Sequence, residues 1–233
     1  MRELLAMPFT DVYRGVQRAT EALGLRALPL LIAACAAGWW VYVPVHELMH
    51  GWGAQLGGAT VTRLDIDPWY GARLLQRVFP YVHPGSAYAG QLAGFDTHGS
   101  DLAYVLAVIF PFALTVVVGI PVLVRALRAT PSVTSTLLLG LVLPVAWAPI
   151  LSIGGDYYEL GAIAISRIAA TFGVDGGSWR GDDVFAVLGR VSNAGDAIGV
   201  SASLLLGAVL ALATYAGARL AAARFASAPP AAL

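Results

Sequence analysis

The sequence predicts an all-α polytopic membrane protein: four to five transmembrane helices, an amphipathic N-terminal helix, and a short β segment in the loop after the first span. Three observations predict it. Hydrophobic residues make up 58% of the 233 residues and charged residues only 12%. That is roughly half the ~25% charge of a soluble domain, too little to cover a water-soluble surface. The apolar residues gather in runs of membrane-crossing length. The polar residues fall between those runs, in loops too short for a separate core. Disorder is excluded by the high hydrophobicity. The net charge of zero leaves no basic field to hold nucleic acid. A single cysteine, Cys35, forms no internal disulfide and reads as a small buried hydrophobe.

Residues 1–26 carry Arg2, Glu3, Asp11, Arg14, Arg18, Glu21 and Arg26, too many charges to span. Leu5, Phe9, Val12, Tyr13, Val16 and Leu23 recur mostly at steps of three or four, which predicts an amphipathic helix on the membrane surface. Ala27 to Val45, about 19 residues, is the first span, with Pro29 tolerated in its first turn and Pro44 expected to kink its far end. Beyond it, Thr62, Leu64 and Ile66 alternate with Arg63, Asp65 and Asp67, a strand pattern. Trp69, Tyr70, Phe79, Tyr81 and Tyr88 suit a segment resting at the interface. Further runs are Leu102–Val124, Val133–Ile153 with Pro144 and Pro149, the shorter Tyr157–Phe172, and Ala197–Ala218. The count is four or five because residues 131–172 cross once or twice. The chain thus divides into a surface helix (1–26), a membrane core (27–172), a polar loop (173–195), a final transmembrane helix (196–224) and a disordered Ala/Pro tail (225–233).

One motif carries chemistry: His46-Glu47-Leu48-Met49-His50, which reads HExxH. On a helix, residues i and i+4 share a face, so both imidazoles reach one ion while Glu47 projects beside them. Zinc accepts neutral imidazole, and a neighbouring carboxylate takes the proton from zinc-bound water. Ionisable groups in an apolar span are expensive and mark function. A catalytic zinc site needs a third protein ligand. The candidates are Asp96, His98, Asp101, Asp156 and Glu159, with His83 a poorer one. Asp156 stands out because it follows Gly154-Gly155, a break tolerated at membrane depth when it lines a wet cavity. Glu159, three residues on, shares its helical face and is the rival. Asp96, His98 and Asp101 otherwise form a polar loop in which Asp101 caps the next helix.

These segments resemble the site-2 proteases, intramembrane zinc metalloproteases. The resemblance rests on HELMHGWGAQLGGATVTRLD (46–65) and APILSIGGDYYELG (148–161), and it makes residues 27–172 the protease core. It implies that a distant aspartate on a broken helix, here Asp156, completes the site. It departs from the family where Gly154-Gly155-Asp156-Tyr157 replaces the usual Leu-Asp-Gly with its upstream Asn. The expectation is therefore a zinc endopeptidase of an integral membrane protein in the bacterial inner (cell) membrane. Zn²⁺ is held by His46, His50 and Asp156, and Glu47 is the catalytic base. Its substrate is a transmembrane protein in the lipid bilayer, captured in extended form by edge pairing with the strand at Val61–Asp67. Two alternatives remain. One is a prenyl-protein-type membrane zinc protease with Glu159 as third ligand. The other is a non-catalytic metal-binding scaffold or transporter.

Overall fold

The computed structural model describes residues 2–86 and 88–225. In chain order the elements are α1 (Arg2–Leu23), α2 (Ala27–Leu56), β1 (Thr60–Ile66), α3 (Ala72–Leu75), β2 (Val82–Pro84), β3 (Gly90–Asp96), α4 (Asp101–Ile109), α5 (Phe112–Leu114), α6 (Ile120–Arg128), α7 (Val133–Leu151), α8 (Asp156–Thr171), α9 (Val184–Leu188) and α10 (Ala194–Phe225). Three helical stretches are long and apolar enough to cross a membrane: Glu3–Leu56, Val133–Thr171 and Ala194–Phe225. The bent pair Asp101–Ile109 and Phe112–Arg128 makes a fourth if counted as one span. By itself α8 has 16 residues, fewer than the ~20 a crossing helix needs. The disordered tail predicted for 225–233 lies, Phe225 apart, outside the described residues.

The chain forms two compact units, each assembled from separate segments. The first comprises the residues up to Tyr42, Ala113–Pro149, and those from Leu212 onward. Its core is Ala27 and Leu31 of α2, Ile120, Leu123 and Val124 of α6, Leu139 and Val142 of α7, and Tyr215 of α10. Small residues let these helices approach, as they do in lipid where no hydrophobic force drives association. A β-carbon on Gly140 would lie 2.6 Å from that of Ala34.

The N-terminal helix buries a different face from the one its apolar residues trace. Pro8, Asp11, Gly15 and Ala19 are buried, whereas Leu5, Phe9 and Tyr13 are exposed. Val16 and Leu23 do pack against the core. The small residues permit close approach, and Asp11 supplies a polar anchor within it. Asp11 is 2% exposed and accepts hydrogen bonds from Arg219 Nε at 2.8 Å and from the Tyr215 hydroxyl at 3.2 Å. Removing one partner of such a pair leaves the other charge buried and uncompensated. Asp11→Ala is expected to destabilise the protein by about 3–5 kcal/mol, checked by denaturant titration in detergent micelles.

The second unit comprises Val43–Phe112 and Ile150–Ala211. Its three-stranded sheet runs β2-β1-β3, with β2 parallel and β3 antiparallel to β1. Leu64 and Ile66, the inward residues of the alternation in β1, pack with Leu48, Ala72 and Val82. The strand predicted to capture substrate by its edge is therefore the central one, paired on both sides. Among the described residues β3 is an outer strand of this sheet. Of the aromatic residues expected at an interface, Trp69 and Tyr88 are exposed, while Tyr70, Phe79 and Tyr81 pack against the sheet core. Burial raises the Tyr81 phenol above its ordinary pKa.

In the same unit α2 meets α4 almost backbone to backbone. A β-carbon on Gly53 would fall 2.6 Å from that of Phe110, and Ala54 packs with Ala103 and Ala107. The polar loop after α8 is folded rather than extended. Trp179, Val184 and Val187 pack with Tyr158, Ala162 and Val200, and the Tyr158 hydroxyl donates to the Trp179 carbonyl at 2.8 Å.

Candidate functional site

The HELMH residues lie inside α2, which continues past them to Leu56. The helix passes through Pro44, so one continuous backbone carries both histidines. Their side chains stack one turn apart, with Nε2 atoms 3.1 Å from each other. The Nδ1–H of His50 donates to the Ala107 carbonyl at 2.8 Å. A carbonyl only accepts, so the proton of the neutral ring sits on Nδ1 and the Nε2 lone pair faces the site. The edge of the Phe112 ring packs on His46, with centroids 5.9 Å apart.

Asp156 reaches this pair from α8. Its Oδ2 lies 3.4 Å from His46 Nε2 and its Oδ1 3.5 Å from His50 Nε2. Ligand bonds of about 2.0–2.1 Å at a tetrahedral metal put neighbouring donor atoms about 3.3 Å apart. The two imidazole nitrogens thus stand at donor spacing from each other, and each stands near that spacing from one oxygen of the Asp156 carboxylate. Glu47 lies beside them, and His46, Glu47 and His50 form a cluster able to hold a metal ion. Of the other candidates, Glu159 turns to a different partner: its carboxylate accepts a hydrogen bond from the Tyr104 hydroxyl of α4. It is not within bonding distance of either histidine among the described contacts, although it lines the same cavity.

The remaining candidates do not converge on the site. Asp101 pairs with Arg167 and Arg180. It does not cap α4; the Ser100 hydroxyl does, accepting the Ala103 N–H at 3.2 Å. Asp101 instead draws the loop after α8 toward α4, and Arg180 stands 5.7 Å over the Tyr104 ring. His98 stays at the surface, bonded to Thr60 Oγ1 at 3.0 Å and to Asp96 at 3.3 Å. Its φ of 51° marks it as the turn residue after β3. His83 stands in β2 opposite Asp65.

The histidines, Glu47 and Asp156 open onto a cavity of about 630 Å³. β3 forms one wall through Gly90, Gln91, Leu92 and Phe95; Arg180 to Asp183 form another. Gly90 is there because Glu47 leaves no room for more. A β-carbon at residue 90 would fall 2.8 Å from Glu47 Oε2 and closer still to its Cγ.

Sequence reasoning missed Gly90, Tyr104, Ser152 and the Ala107 carbonyl. Only Ser152 left a signal, as a hydroxyl one turn before Asp156; the other three are set by tertiary contacts that no local spacing announces. Compared with known proteins, the chain matches no family model, no curated protein and no solved structure, so the site itself carries the functional argument.

Proposed function

We propose that the protein is an intramembrane zinc metalloprotease that hydrolyses peptide bonds in or near transmembrane segments of other proteins. The observation that carries this reading is the convergence of the His46 and His50 imidazoles and the Asp156 carboxylate to within 3.1–3.5 Å beside Glu47. Two imidazole nitrogens and one carboxylate oxygen are a donor set that zinc accepts, with the fourth position left to water or substrate. Zinc bound there supplies Lewis acidity and makes water a nucleophile near neutral pH. Glu47 takes the proton released as water attacks and hands it to the leaving amine. Counting the bent helix pair as a crossing gives four spans.

A transmembrane helix hides its carbonyls in its own hydrogen bonds, so the scissile segment must unwind before attack. The outer edge of β3 offers backbone groups to an extended chain, beside the wall that holds Gly90 against Glu47. The prenyl-protease alternative needs Glu159 as a ligand. The engagement of Glu159 by Tyr104 favours Asp156 instead.

The reading is tested by reconstituting the purified chain with a transmembrane reporter in lipid vesicles. Cleavage should occur, stop on zinc chelation and resume when Zn²⁺ is restored. A chain that holds zinc yet leaves a panel of transmembrane reporters intact would overturn it. A second outcome concerns Gly90→Ala. Alanine suits the backbone there, but its methyl group evicts the Glu47 side chain. Cleavage should fall toward the roughly 10²-fold loss that a misplacement of ~1 Å produces, while zinc content measured on the same sample stays at the wild-type level.

A further inference from the structure

Asp156 is held by a residue that neither the motif nor the resemblance singles out. The Ser152 hydroxyl donates to Asp156 Oδ2 at 2.6 Å. The carbonyl of the same residue accepts the backbone N–H groups of Gly155 and Tyr157, each at 3.1 Å. Ser152 therefore works at two levels. Its backbone closes the turn that interrupts the chain between α7 and α8, and its side chain grips the carboxylate that the turn delivers. Ser152 also lines the cavity, so its hydroxyl stands in the site rather than in a remote packing layer.

The two oxygens of Asp156 are thereby made unequal. Oδ2 already accepts a short hydrogen bond, while Oδ1 faces His50 Nε2 at 3.5 Å with no hydroxyl on it among the described contacts. An ionised carboxylate free to rotate can offer a metal one oxygen or both, and the second would raise the coordination number from four to five, taking the position that a catalytic site keeps for incoming substrate. A partner that fixes a ligand's orientation typically changes metal affinity by 10–100-fold.

We infer that Ser152 is a positioning residue that makes Asp156 a one-oxygen ligand and so keeps one coordination position open. This rests on the zinc reading above, and the experiment separates the two. Metal affinity is measured by chelator competition on purified wild type and on Ser152→Ala, Ser152→Cys and Ser152→Thr, followed by the visible spectrum of each protein loaded with Co²⁺. Ser152→Ala and Ser152→Cys should bind metal about 10–100-fold more weakly. Their Co²⁺ spectra should shift from the intense absorption of four-coordinate geometry toward the weaker bands of five. Ser152→Thr, which keeps the hydroxyl, should restore both. Thermal unfolding of the metal-free proteins should not follow this order, because the proposed role acts through the carboxylate.

Ser152→Ala with wild-type affinity and spectrum overturns the inference while leaving the zinc reading intact, provided His46→Ala still loses metal. A Ser152→Thr protein as impaired as Ser152→Ala overturns it too. A wild-type chain that binds no metal at all removes both.

Discussion

Purified protein is expected to carry about one zinc per chain, and His46→Ala or His50→Ala to carry essentially none by elemental analysis. The two imidazole nitrogens lie 3.1 Å apart, each 3.4 or 3.5 Å from an oxygen of Asp156, and a three-ligand site needs all three side chains. Two of them leave an ion half-hydrated and exchangeable. Asp156→Ala should cost most of the metal for the same reason. Glu159→Ala should leave zinc content near wild type, because that carboxylate is engaged by Tyr104. Full occupancy in both histidine variants would mean that the metal, if any, sits elsewhere. A Glu159→Ala protein emptied of zinc, beside a loaded Asp156→Ala protein, would reverse the ligand assignment.

Glu47→Gln separates chemistry from binding. Glutamine keeps the length of the side chain and its fit against Gly90, yet it no longer takes a proton. Zinc content and fold should be unchanged while cleavage falls by at least about 10²-fold, the lower end of what a general base contributes. Metal analysis and reporter cleavage on one preparation read the two quantities side by side. Cleavage at the wild-type rate would exclude Glu47 as the base. Taken with the scaffold alternative, the result is also decisive in the other direction: a protein that only stores metal has no rate for Glu47→Gln to lower.

What was legible in the sequence follows from distance along the chain. The histidine pair and Glu47 are one helical turn apart, so local periodicity alone puts them on neighbouring faces. Asp156 is more than a hundred residues away, and only the paired glycines before it marked the break that lets a carboxylate turn inward. Val61–Asp67 has the clean alternation that strand patterns reward, yet it lies in the central strand, with both edges paired and none free for another chain. β3, with Gly90, Ala93 and Gly94 in seven residues, has little strand propensity and is held in place by β1. The N-terminal helix keeps Leu5, Phe9 and Tyr13 of its apolar stripe exposed. Its apolar stripe is real, but burial went to Asp11, Gly15 and Ala19, because in lipid small size and a paired charge organise helix contacts better than bulk hydrophobicity does. Cys35, read as a small buried hydrophobe, is only partly buried.

Gly53 acts as a spacer for a ring three residues away. With no side chain at that point, α4 comes close enough for the Ala107 carbonyl to accept the Nδ1–H of His50. A neutral imidazole has one mobile proton and two places to keep it; here it is parked on the side turned away from His46 and Asp156. A bulkier residue at 53 would push α4 outward, the carbonyl would recede, and the two tautomers would compete. A share of His50 would then present an N–H, not a lone pair, toward His46 and Asp156, and any metal bound as proposed would first have to displace a proton. The separation of two helices is read out, through one carbonyl, as a tautomer ratio.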